Sequence, residues 1–383
     1  VNLLISAGEA SGDLHGARLL AALRRERPDL RAFGMGGERL AEAGLERTVA
    51  SESLAVVGFS EVVEKLPALR RSLGALAAEA RKRRPDAAVL IDFPDFHGLL
   101  ARRLARDRIP LVYYVPPQVW AWRPSRAGTI ARRARRILTL FPFETEIYRR
   151  LGGDAVCVGH PVVEDVREGL AAPAALPAKA RRRLLLLPGS RAGELGRHWE
   201  PMADAAAALS RRFDLELVAV RAPGLPEDLF PRAAERGIRV VTGGLHPLLE
   251  SSDLAFVASG TATLEAALCG TPMVVVYKTS AFSHAVARAL VSARLRWISL
   301  VNILAGRELV TELLQERLTA GNLEREGEAL LGSPERAQAM KAQLARVAAE
   351  LGPPGASARA AQEILAVLRR SSGLTTDVFP LAR

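Results

Sequence analysis

The stretch LAFVASGTATLEAALCGTPMVVVY, Leu254 to Tyr277, decides how the chain is read. Leu254 to Ala258 is an apolar run of strand length, Ser259-Gly260-Thr261 a small-residue loop, and Ala262, Leu264, Ala267 and Leu268 follow at helical spacing. Gly270-Thr271-Pro272 ends that helix, and Met273 to Val276 reads as the next strand. Strand, small loop and helix together aim backbone N–H groups and a positive helix end at an anion. Glu265 falls in the first turns of the helix. A carboxylate there repels a phosphate but accepts two hydrogen bonds from a ribose diol. Loop for a diphosphate and Glu for a ribose suggest a nucleotide; the same residues also suit an ordinary βαβ unit with a surface Glu.

The pattern recurs upstream. Leu184 to Leu187 reads as a buried strand, Pro188-Gly189-Ser190-Arg191 as its loop, and a helix including Glu194 follows. Gly189 and Ser190 can offer backbone N–H groups, and Arg191 a charged fork to the same diphosphate. The N-terminus repeats the theme: Val1 to Ser6 as a strand, the Gly-rich AGEASGDLHG as a loop, and a helix from about Ala17 to Arg25. Glu9 and Asp13, without a Walker lysine, make this a poor phosphate loop and a better one for sugar hydroxyls. Gly12 and His15 are therefore acceptor-side candidates, with His15 a second candidate base.

Ala87 to Ile91 is another strand, ending in Asp92-Phe93-Pro94-Asp95-Phe96-His97. Ligands of open α/β sheets lie at the carboxyl ends of the strands. Asp95 reads as the cap of a helix beginning near Gly98, which leaves Asp92 as the catalytic carboxylate. After Leu111 to Val115 comes PPQVWAWRPSR, where Trp120, Trp122 and Arg123 suit a sugar ring, an acyl chain or a phosphate. Gly58 to Ala80 carries Val62, Val63, Leu66, Leu69 and Leu73 at helical spacing, with a break expected at Pro67. That strip fits either the domain core or a membrane surface. Leu300 to Gln315 places Asn302 in a loop before a further helix.

At 383 residues, two domains are the default. The reading is α/β, two Rossmann-like doubly wound domains facing a cleft: 1–168 on the acceptor side, a linker at 169–180, and 181–351 as the nucleotide side. Residues 352–383 follow Gly352-Pro353-Pro354-Gly355, with a helix from about Ala356 to Arg370 returning to the first half. No apolar run approaches the roughly 18 residues of a spanning helix, and Val1 to Ser6 reads as a strand rather than a signal peptide. Cys157 and Cys269 offer no metal-ligand spacing and fit a reducing cytoplasm. The formal charge of +11 favours an anionic partner. Five of the 53 basic residues are lysines, and no nucleic-acid motif of recognisable spacing is present, so a membrane surface or phosphorylated lipid suits the charge as well as nucleic acid does.

Six motifs in order carry a resemblance over most of the chain: AGEASGDLHGA, IDFPDFH, YYVPPQVWAWR, LLPGSRAGE, ASGTATLEAALCGTPMVVVY and LVNILAGREL. Together they resemble the lipid-A-disaccharide synthase family. The resemblance implies an inverting, metal-independent glycosyltransferase of the two-Rossmann-domain (GT-B) architecture, with no cofactor. It implies transfer of 2,3-diacylglucosamine from UDP to the 6-hydroxyl of 2,3-diacylglucosamine 1-phosphate (lipid X), at the cytoplasmic face of the inner membrane. It also implies a catalytic role for Asp92, a need for Arg191 and Asn302, and UDP held by the segment Ser259 to Glu265. His97 stands where the family often has Asn, and Pro116 where it often has Ser. A homodimer that exchanges the C-terminal helix is compatible with the sequence. Rival readings are a peptidoglycan N-acetylglucosaminyltransferase or a UDP-sugar epimerase of the same architecture, and, from another class, a basic membrane- or RNA-binding module.

Overall fold

The computed structural model describes residues 1–51, 59–120, 124–172, 181–280 and 296–371. They divide into two units, one from Val1 to Pro161 plus the chain from Pro354 onward, the other from Val162 to Pro353. The first unit has seven parallel strands: β1 (Asn2–Ala7), β2 (Arg31–Gly36), β3 (Glu46–Ala50), β4 (Ala87–Ile91), β5 (Leu111–Tyr114), β6 (Arg136–Thr139) and β7 (Ala155–Cys157). Their order is β3-β2-β1-β4-β5-β6-β7. Leu3, Leu4, Ile5 and all of β4 are buried, because helices cover both faces of a parallel sheet. The helices are α1 (Ala10–Glu26), α2 (Glu38–Glu42), α3 (Phe59–Arg83), α4 (Pro94–Arg106), α5 (Ser125–Arg133) and α6 (Pro142–Arg150). Leu4, Ala88 and Leu90 pack with α3, α4 and α5. Gly16 of α1 lies on the opposite face, against Ile91. The strand order therefore reverses between β1 and β4, and a crevice opens at their carboxyl ends.

The second unit repeats the plan with β8 (Arg182–Leu187), β9 (Leu215–Arg221), β10 (Ile238–Thr242), β11 (Leu254–Ala258), β12 (Met273–Tyr277) and β13 (Glu312–Leu314), in the order β10-β9-β8-β11-β12-β13. Its helices are α7 (Val162–Ala171), α8 (Ala192–Arg212), α9 (Leu245–Ser251), α10 (Thr261–Leu268), α11 (Leu300–Ala305), α12 (Ala320–Leu331) and α13 (Pro334–Glu350). The switch point falls between β8 and β11. Leu184, Leu186, Trp199, Met202, Leu254, Phe256 and Val274 form the core of one sheet face. A last helix, α14 (Ala356–Ser371), belongs to the first unit and packs on α1 and β6. Arg136 pairs with Glu363, and Arg359 Nε donates to the Val158 carbonyl at 2.8 Å.

Both doubly wound domains expected from the sequence are present, and several local readings change. The Gly-rich N-terminal stretch is mostly helix, since α1 starts at Ala10. Gly16 serves close packing, since a Cβ there would stand 2.7 Å from Leu40, whereas a Cβ on Gly12 would meet Ala7 and the Ile91 carbonyl only in ordinary contact at 3.5 Å. The strand β2 (RAFGMG) hides behind its glycines, of which Gly34 has φ 142° and no room for a Cβ beside the Ile5 carbonyl. Helix α3 continues through Pro67, where proline removes a single hydrogen bond and buried Leu73, Leu76 and Ala80 hold the remainder. Helix α4 begins at Pro94 rather than near Gly98, so Asp95 lies in its first turn, exposed and paired with Arg126, and does not cap it. Asn302 lies inside α11, and part of the expected downstream helix is the edge strand β13. Helix α7 is grouped with the second unit, although the sequence reading puts residues up to 168 in the first.

Ile364 is fully buried in α14. Ile364→Ala is expected to destabilise the first unit by about 2–5 kcal/mol, through lost burial and the cavity left behind. Urea denaturation checks this; an unchanged midpoint would mean that α14 is not part of that core.

Candidate active site

At the first switch point the chain leaves β4 through two consecutive non-glycine residues in the left-handed region, Asp92 (φ 52°) and Phe93 (φ 53°). Each such residue costs on the order of 1–3 kcal/mol and persists only where its surroundings over-determine it. Here they do. The Asp92 N–H donates to the Val115 carbonyl at 3.2 Å, and the Asp92 carbonyl accepts from His97 Nδ1. The Phe93 ring covers Gly8, where a Cβ would fall 2.1 Å from it. Burial, and then the charge of Glu9, push the Asp92 carboxyl up to about 6, against a hydrogen bond from the Phe93 backbone. A carboxylate held so is poised to accept a proton near neutrality.

The other first-unit candidates differ in what their side chains contact. Asp13 is structural: its carboxylate accepts from the N–H groups of Gly37, Arg39 and Leu40 and so caps α2. Gly12, expected on the acceptor side, lies in the first turn of α1 over Ala7 and the Ile91 carbonyl. His15 is no surface histidine, because burial and then Arg18 lower it to about 4. It also acts electrostatically on His160, and among the described residues its buried Nδ1 has no hydrogen-bond partner. Trp120 is anchored by Nε1–H donation to Glu144 at 2.9 Å and lies edge-on to Phe143. Trp122 and Arg123 lie outside the described residues.

In the second unit, two helix N-termini meet the switch point. Pro188 to Arg191 lead into α8, with Gly189 at φ 124°, and Ser259-Gly260 lead into α10 at Thr261. His198 ties the first loop to the strand next but one. Its Nδ1 bonds the Pro188 carbonyl at 2.7 Å, and its Nε2 accepts from the Lys278 N–H at 2.9 Å. Arg191 is exposed and pairs with Glu194 at 2.9 Å, leaving its fork near the loop. Glu265 meets His246 Nε2 at 3.0 Å through one carboxylate oxygen. Sequence reasoning missed His97, His198 and His246. The first two are fully buried, and no periodicity marks a histidine that works from inside the core.

Asn302, for which the resemblance implies a need, lies inside the second unit. It is fully buried, and both ends of its amide are spent. The Nδ2 group donates to the Val310 carbonyl and to Glu312 Oε1, each at 2.8 Å; Oδ1 accepts from the N–H groups of Leu309 and Val310. Glu312, raised by burial against these bonds, also accepts from the N–H groups of Ile298 and Ser299. Ser259 Oγ donates to the Ile298 carbonyl at 3.3 Å, so a chain of bonds through Glu312 links Asn302 to the loop before α10.

Two doubly wound sheets, each with its candidate groups at the switch point, define the GT-B architecture. Solved structures share it. A UDP-GlcNAc 2-epimerase from Neisseria meningitidis bound to UDP-GlcNAc superposes with a TM-score of 0.61 at 11% identity, covering 97% of this chain and all of that one. A glycosyltransferase from Streptomyces nogalater gives 0.55 at 21% identity, covering 96% and 99%. Sequence goes further. The family model for lipid-A-disaccharide synthetase matches residues 3–366. The lipid-A-disaccharide synthases of Anaeromyxobacter dehalogenans and Myxococcus xanthus are 46% and 42% identical to it, each over 96% of this chain and 97% of the relative. The chain belongs to the lipid-A-disaccharide synthase family.

Asn302→Ala orphans the N–H groups of Leu309 and Val310 and a hydrogen bond to Glu312. The expected loss is about 1–3 kcal/mol for each buried group left unpaired, read as a lower thermal midpoint. A variant that melts like the parent would show that the amide is not integral to that loop.

Proposed function

We propose that this chain transfers a 2,3-diacylglucosamine unit from UDP to the 6-hydroxyl of 2,3-diacylglucosamine 1-phosphate, forming the β-1,6 disaccharide. Family membership selects transfer over epimerisation. The observation that carries the mechanism is Asp92, a carboxyl held near neutrality at a strand end of the first switch point. As the acceptor oxygen bonds to the anomeric carbon, Asp92 takes its proton. The bond from that carbon to UDP breaks, and its electron pair leaves on the phosphate oxygen. Attack opposite UDP inverts the α linkage to β.

The departing diphosphate meets the N–H groups at the starts of α8 and α10, from Gly189, Ser190, Gly260 and Thr261, together with the Arg191 fork. Ser259 shapes that loop through its bond to Ile298, and the second oxygen of Glu265 is left for the ribose diol. His15, whose Nδ1 has no hydrogen-bond partner among the described residues, and Trp120 serve the acceptor side. Both substrates carry acyl chains, so the same reading sets the protein on the anionic cytoplasmic face of the inner membrane. The charge of +11 and Leu66 on α3, 41% exposed, support that contact. Among the described residues no helix is long and apolar enough to cross a membrane.

Asp92→Asn keeps the shape and removes the base, so turnover is expected to fall about 10²–10⁴-fold with UDP affinity unchanged. Arg191→Ala should do the opposite first, weakening UDP binding by about 1.5–3 kcal/mol in calorimetry. Protonated Asp92 cannot accept a proton, so kcat/KM should rise as pH passes through about 6. Glu9→Gln removes a charge that raises Asp92 and should move this limb to lower pH. Full activity of Asp92→Asn would overturn the assignment and turn attention to His15.

A further inference from the structure

His97 is a fully buried histidine three residues into α4, and no step of the reaction uses it. Burial lowers it to about 4, so near neutral pH its ring is uncharged. A neutral ring carries one N–H, and the two partners decide which nitrogen has it. Nδ1 faces the Asp92 carbonyl, which can only accept; Nε2 faces Ser6 Oγ at 2.8 Å, which can donate. The proton is therefore on Nδ1, and the ring strings β1 to β4: Ser6 O–H to Nε2, then Nδ1–H to the Asp92 carbonyl. The rings of Phe93 and Phe96, both about 6 Å away and edge-on to it, fix its plane.

This bond lands on the residue whose backbone is strained. At φ 52°, Asp92 would relax toward the extended region, given freedom, and that rotation would redirect its carboxyl. We propose that His97 is a positioning residue for the transfer reaction: its Nδ1–H bond to the Asp92 carbonyl holds the Asp92–Phe93 turn left-handed and so aims the carboxylate at the acceptor hydroxyl. The bond to Ser6 orients the ring and sets its tautomer. The inference rests on the reading of Asp92 as the base.

Two amide side chains separate the two bonds. The Asn amide nitrogen sits as many bonds from Cβ as His Nδ1 and can keep the link to Asp92. The Gln amide reaches the position of Nε2 and can keep only the link to Ser6. His97→Asn is expected to retain kcat within a few-fold. His97→Gln and His97→Leu should lose about 10–100-fold in kcat, the scale of a small misplacement of a reacting group. KM for the UDP-sugar should stay constant throughout. A merely structural histidine would give Asn and Gln variants that track their thermal midpoints, with no such split. The inference is overturned if the Gln variant turns over as fast as the Asn variant, or if Asn fails as badly as Leu. Asp92→Asn measured beside them separates the two claims. If it keeps full turnover, the reading of the base has failed; if it is slow while the His97 variants show no split, only the positioning role has failed.

Discussion

A parallel sheet must be covered on both faces, and where its strand order reverses, successive helices leave on opposite sides and cannot close the gap between them. Each unit of this chain has one such point, between β1 and β4 and between β8 and β11. The residues read as functional follow the strands that flank those points. The last residues of these strands, Ile91, Leu187 and Ala258, are buried and apolar, and Asp92, the Pro188 to Arg191 loop and Ser259 follow directly.

The two crevices are furnished differently. In the second unit, helix N-termini supply backbone N–H groups in number, and the loops before them are small or guanidinium-bearing, which suits an anion. In the first, carboxylates dominate: Glu9 and Asp92 raise the proton affinity of the site. A transferase with a nucleotide leaving group and a hydroxyl nucleophile requires this division. The leaving group asks for positive potential, and the nucleophile asks for a base. Buried histidines brace both, His97 between β1 and β4 and His198 between Pro188 and Lys278, and burial opposes the charged form of each.

How much of this could be read from sequence follows from the kind of signal each part leaves. Strands buried on both faces, such as Ala87 to Ile91 and Leu254 to Ala258, are apolar runs and were legible, as were the loops after them and Asp92. Strand β2 was not, because two of its six residues are glycines set by close packing. Edge strand β13 was not, because Glu312 belongs to a polar network rather than to an apolar face. Asn302 shows the limit on the functional side. A motif marks that the residue matters but not whether it touches a ligand, and here its amide bonds only to its own chain. The N-terminal glycines read as a loop, but Gly12 and Gly16 lie in α1, because a glycine in a turn and one packed in a helix look alike in a sequence.

The account turns on one reaction, and its product is the most direct test. Purified protein, given UDP-2,3-diacylglucosamine and 2,3-diacylglucosamine 1-phosphate, should form the disaccharide 1-phosphate and an equal amount of UDP by mass spectrometry, with a β linkage by NMR. UDP release without a disaccharide, or interconversion of the UDP-sugar with no acceptor present, would contradict it.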